Sequence, residues 1–95
     1  MTHETLVGAR SVVTPHAPER YPGIQVVRPG PQWDVAVIVP KVGDTIVGIG
    51  GEETYPYRTP DGAEAQGFNL RAGDRATLVR SDLPHSMVEW RIVRE

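Results

Sequence analysis

The sequence contains no cysteine, which excludes a disulfide framework and any thiolate metal site. It is almost without lysine. Lys41 stands alone among 10 basic residues, so ion pairs must be built by arginine, whose planar fork favours rigid two-point contacts with carboxylates. Aromatic residues make up only 6%, which puts the core on Val, Ile, Leu and Ala and suits thin sheets packed face to face. There is no charge excess either. Lys and Arg total 10 against 12 Asp and Glu, a formal charge of -2, so nothing pulls the chain toward nucleic acid or an anionic lipid surface. The longest apolar run, VAVIVP at 35–40, falls far short of the ~20 residues that span a bilayer. The N-terminal residues lack the basic start and apolar stretch of a signal peptide, and synthesis in the cytoplasm is expected. Helical periodicity is missing as well, and 10 Gly with 9 Pro would interrupt it wherever it began.

What remains is a β pattern on a chain of 95 residues, enough for one core and too short for two. A chain of this size buries only somewhat over ~60% of its unfolded surface, so added area from an arm or a second subunit is an expected source of stability. Residues 1–22, with Pro15, Pro18 and Pro22 among polar side chains and one apolar pair at Val12 and Val13, read as an extended N-terminal arm. Proline pre-sets φ and makes such a segment cheaper to order on a neighbour. Residues 23–95 read as a single all-β domain, a small antiparallel β-sandwich or barrel.

Within that domain the strands are short and separated by turn residues. Strands are expected at 23–28, 33–39, 44–49, 52–58, 66–70, 74–80 and 87–94. Trp33–Val39 is apolar on both faces and should be central. Gly48, Gly50 and Gly51 mark a bulge or a bend where another backbone comes close. Pro56 confines its strand to an edge or an exposed ribbon, and it sits between Tyr55 and Tyr57. The last two strands form a hairpin across SDLPHS, anchored on Trp90.

No residue set points to catalysis. His3, His16 and His85 lack partners at ligand spacing, and the His/Glu cluster that cupin-like β folds use for iron or manganese is missing from the strands. Ser81 and Ser86 lie near Asp82 and His85. One turn cannot nest a nucleophile, a base and an orienting carboxylate in the geometry a triad needs, so these residues serve turn chemistry. The G-x-G-G of VGIGG runs into Glu52 and Glu53, which would repel phosphate, so a strand bend is the better reading. Arg91 and Arg94 around Trp90 are interrupted by Glu89 and Glu95, as expected of cross-strand ion pairing rather than nucleic-acid binding. No enzyme, metal or cofactor is expected.

The closing segment carries a resemblance. Leu70, Gly73, Asp74, Leu78, Val79, Ser81, Asp82, Trp90 and Ile92 follow the pattern L-x-x-G-D/E-x-x-x-L-V, a Ser/Asp turn, then W-x-I/V. This resembles the end of small β domains in bacteriophage virion proteins, with a longer turn here through LPHSM. The resemblance implies a non-enzymatic virion protein, commonly a homotrimer. The build is similar to that of capsid decoration, or cement, proteins, which bind and stabilise the phage head, with the major capsid protein or another virion protein as partner. Val12, Val13, Trp33, Tyr55 and Tyr57 are then the expected partner-binding residues. A tail or fibre component, or a free-standing carbohydrate- or peptide-binding β module, is the other reading.

Overall fold

In the computed structural model the described residues are 2–14, 21–27, 36–49, 57–58, 64–65 and 67–94. The fold is small, antiparallel and all-β. Among the described residues nine strands run in chain order as β1 (Thr2–Gly8), β2 (Val12–Thr14), β3 (Gln25–Val27), β4 (Ala36–Val39), β5 (Thr45–Val47), β6 (Tyr57–Arg58), β7 (Glu64–Ala65), β8 (Arg75–Arg80) and β9 (Val88–Arg94). A 3-10 turn, Pro84–Ser86, joins β8 to β9. The order β1-β9-β8-β5 makes a four-stranded sheet, β2-β4-β3 a three-stranded sheet, and β6-β7 a separate two-stranded ribbon.

The two larger sheets enclose one core. Leu6, Ile46, Ala76, Leu78, Val88, Trp90 and Ile92 enter it from the four-stranded sheet, Val12 and Ile38 from the three-stranded sheet, and Tyr21, Phe68 and Leu70 from the connections. Alternation along β9 produces this layer: Val88, Trp90 and Ile92 are buried while Arg91 is exposed, the period-2 signature of a strand with one wet face. Cross-strand register then stacks buried rows, Leu6–Trp90–Leu78 and Ile92–Ala76–Ile46. Trp90 is 0% exposed, its Nε1 donates to the Ala9 carbonyl at 2.9 Å, and its ring meets Phe68 edge-on at 5.0 Å. A buried indole N–H needs such a partner.

Three turns share one design. In Tyr21–Ile24, Lys41–Asp44 and Arg71–Asp74 the third residue is a glycine at φ +83°, +96° and +91°, and the fourth residue's N–H returns to the first carbonyl. That is the type II arrangement, which requires positive φ at the third position. The last two turns also match each other in sequence, Lys-Val-Gly-Asp and Arg-Ala-Gly-Asp. Each aspartate Oδ2 accepts the N–H of the turn's first residue, at 2.9 Å from Lys41 and 3.0 Å from Arg71. They sit at opposite ends of the β5–β8 pair and extend it symmetrically. Gly43 donates to the Leu78 carbonyl and Leu78 to the Asp44 carbonyl, while Gly73 donates to Gly48 and Gly48 to Asp74. Each G-D turn therefore starts a strand and closes the far end of its partner.

The polar end of the core is held by Arg94. Its Nε and Nη2 reach Glu4 Oε1 at 2.9 and 2.8 Å, and its Nη1 reaches the Asn69 carbonyl at 2.7 Å and Asp74 Oδ2 at 3.2 Å. The expected cross-strand pairing of this arginine is present. It lies on the inner side of the sheet, where it caps the core, rather than on the solvent face.

Several expectations need correction. The N-terminal segment is extended, but its described part is built into the chain's own sheets rather than reaching a neighbour. β1 pairs with β9 through seven residues, β2 pairs with β4, and Leu6, Val12 and Tyr21 are buried. Pro22 and Gly23 are the two central residues of a turn, so the strand that follows starts at Gln25. Residues 67–70 are not a strand, although Phe68 and Leu70 do pack into the core. The strand ending at Val39 is central in its sheet, as expected, with Ala36 and Ile38 buried and Val37 and Val39 half-buried.

Candidate partner-binding surface

Of the five residues expected to bind a partner, Val12 and Val13 lie on opposite faces of one strand. Val12 is 1% exposed and sits opposite Ile38 in the core, so it is unavailable to any partner. A β-branched side chain on the inner face of a strand is there because burial of its methyl groups stabilises the sheet pair. Val13, its neighbour on the other face of β2, is half-buried opposite Val37. Trp33 and Tyr55 lie outside the described residues. The Tyr57 backbone pairs with Ala65 in the two-stranded ribbon.

A different surface is organised by the four-stranded sheet. Its outer face carries the cross-strand rows His3–Val93–Arg75–Val47, Thr5–Arg91–Thr77–Thr45 and Val7–Glu89–Arg80. His3, Thr5, Arg75, Arg91, Thr45 and Val47 are exposed, and Val93 and Thr77 are half-buried. The hydroxyls of Thr45 and Thr77 hydrogen-bond at 2.9 Å, which fixes that end of the row. Arg75 and Arg91 on neighbouring strands, with Thr5 and Thr77 flanking Arg91, make a hydrogen-bonding face. The aliphatic side chains exposed at its corners are Val7 (42%) and Val47 (47%).

The same sheet ends in a long edge. Among the described residues nothing pairs with the outer side of β1, a seven-residue strand without proline or lysine. Such an edge presents backbone donors and acceptors that another chain can complete, unless proline, lysine or an inward charge blunts it. The one inward charge, Glu4, is neutralised by Arg94. Sequence reasoning missed this strand because only Leu6 on its inner side is apolar. The alternation of His3, Thr5 and Val7 against Glu4 and Leu6 was the available signal, and it is weak because it is carried mainly by polar residues.

Ion chemistry at the hairpin turn is local. Arg80 Nε donates to Asp82 Oδ1 at 2.5 Å, and this hydrogen bond lowers the Asp82 pKa and raises that of Arg80. A lowered folded-state pKa contributes stability that is complete above the ordinary aspartate value. It is lost as pH falls through the lowered one, which places the loss below about pH 4. Both side chains are in open solvent, at 55% and 73% exposure, so the contribution is small. The Asp82→Asn variant should therefore unfold at the same midpoint as the parent at neutral pH. In Arg80→Gln the Asp82 carboxyl, followed by carbon-detected NMR, should titrate at a higher pH than in the parent. His3 and His85 are exposed, and among the described residues no three His, Asp or Glu side chains gather at metal-ligand distance.

No family model, curated protein or solved structure matches the chain.

Proposed function

We propose that this chain is a non-enzymatic structural protein of a phage particle, a decoration protein that binds and stabilises the head and associates as a homotrimer. The observation that carries the binding part of this reading is the open edge of β1 beside the Arg/Thr face, a geometry that takes up an extended segment of another protein. The phage setting is supported by the sequence resemblance of the closing segment. The positions that carry the resemblance have a structural job here: Leu70, Leu78, Trp90 and Ile92 are core, and Gly73–Asp74 form a strand-starting turn. A trimer would present three such edges at once, which converts modest single-site affinity into durable attachment.

The test is a mass measurement by light scattering on the full chain, followed by co-sedimentation with phage heads lacking their decoration protein. A trimer that sediments with heads is the expected result. Val7→Lys places a lysine on the edge strand opposite Glu89, a favourable pair that keeps the fold, and should abolish association. A monomer that ignores heads and binds a glycan would overturn the reading. Unchanged association of the Val7→Lys variant would overturn the role given to β1.

A further inference from the structure

Between the β1–β2 connection and the β8–β9 turn lies an open groove of about 320 Å³, lined by Ala9, Arg10, Ser11, Ser81, Ser86 and Val88. Its chemistry is one-sided. Three serines and one arginine line it, and among the described residues Asp and Glu are missing from the lining, whose apolar members are Val88 and Ala9. Asp82, the acid of the same turn, is engaged by Arg80. Arg10 is held in place because its Nε donates to the Pro40 carbonyl at 2.7 Å. That bond uses one of five guanidinium donors and orients the fork.

The turn that brings Ser86 to the groove is built at a conformational cost. His85 and Ser86 are consecutive residues in the left-handed region, at φ +62° and +60°, and are the only non-glycine residues there among those described. Each such residue costs on the order of 1 kcal/mol or more, and glycine would supply the same turn without that penalty. Retaining a serine at the second of these positions keeps a hydroxyl at the groove.

We propose that this groove binds a single oxyanion group, a carboxylate or a phosphate. The Arg10 fork would supply charge-assisted hydrogen bonds, and Ser11, Ser81 and Ser86 would complete the donor set. The anion is either a free small molecule or a side chain of a protein partner. The proposal does not rest on the head-binding reading, and its test uses neither heads nor oligomeric state.

The experiment is an amide-shift NMR titration of the labelled full chain with sodium phosphate, and separately with sodium acetate, against sodium chloride at equal ionic strength. Saturable shifts confined to residues 9–11, 81 and 86–88 are expected, with binding in the millimolar range. Arg10→Gln should weaken binding at least about tenfold, the scale of one lost charge-assisted bond. Ser86→Gly should unfold at an equal or higher midpoint, because the left-handed strain is removed, and still bind phosphate several-fold more weakly. If Arg10→Gln fails to fold, Ser86→Gly and Ser11→Ala decide. A peptide with blocked termini and one glutamate that binds more tightly than acetate would assign the anion to a protein partner, and equal affinity would assign it to a free anion. Linear shifts spread equally over Arg71, Arg75 and Arg91, or full phosphate affinity in both Arg10→Gln and Ser86→Gly, would overturn the proposal.

Discussion

Replacing Gly48 by alanine should cost this protein at least about 3 kcal/mol, the upper range for forcing an extra carbon into a packed site. A Cβ on Gly48 would lie 2.0 Å from the Arg71 carbonyl oxygen, 2.8 Å from its carbon and 3.0 Å from the Leu70 Cβ. The nearest atoms are backbone, so no rotamer change can make room. One of the two chains must move by more than an ångström. That movement would pull on both hydrogen bonds that close the end of the β5–β8 pair, Gly48 to Asp74 at 2.7 Å and Gly73 to Gly48 at 3.1 Å. It would also disturb Leu70, which is 1% exposed in the core. A loss of that size lowers the midpoint of a domain this small by more than about 12 °C. Gly43→Ala is the control. It meets nothing within 4 Å, so its cost is the left-handed backbone alone, about 1–2 kcal/mol. Thermal unfolding followed by circular dichroism ranks the two, and equal losses would refute the close-approach explanation.

Gly48 also shows what was legible in the sequence. Three glycines near the end of one strand signalled a backbone approach, and Gly48 makes one, while Gly50 and Gly51 lie outside the described residues. The β8–β9 hairpin and the centrality of β4 were readable because their alternation is carried by large aliphatic residues and one tryptophan, where pattern and burial coincide. Residues 2–14 were misread for the opposite reason. Their inner positions include Glu4 and Thr14, and Thr14 is fully buried, so local polarity suggested a solvated arm where long-range pairing with β9 and β4 decides the structure. Proline density misled in the same way at Pro22, which belongs to a type II turn. The matching Lys-Val-Gly-Asp and Arg-Ala-Gly-Asp turns were in plain view, but their equivalence becomes meaningful only once β5 and β8 are known to pair. Of the expected binding residues, Val12 failed because hydrophobicity alone does not distinguish a core residue from an interface anchor. The open β1 edge and the serine-lined groove depend on which segments meet, and no local pattern announces that.

Trp90→Ala should be the most damaging truncation in the core, with a loss of about 3–5 kcal/mol. The residue is fully buried between Leu6 and Leu78, edge-on to Phe68, and it supplies the largest fully buried side chain among those described. Removing it leaves a cavity that three other side chains cannot collapse to fill, and that loss alone is a large part of the ~5–15 kcal/mol by which domains are stable. Trp90→Phe separates packing from hydrogen bonding. Most of the ring's apolar area is kept, but the Ala9 carbonyl loses the donor that reached it at 2.9 Å, which costs about 1–3 kcal/mol for a buried acceptor left unmatched. That carbonyl lies in the link between β1 and β2, where the chain passes from one sheet to the other, so the loss should be felt locally as well as globally. Amide hydrogen exchange at residues 9–11 should accelerate in Trp90→Phe beyond what its change in global stability explains, while exchange in β8 follows global stability alone. Uniform acceleration across the chain would mean that Trp90 acts only through its bulk. Faster exchange confined to that link would show that the indole N–H is what pins the N-terminal strands to the core, and with them the edge of β1 and the Arg10 wall of the groove.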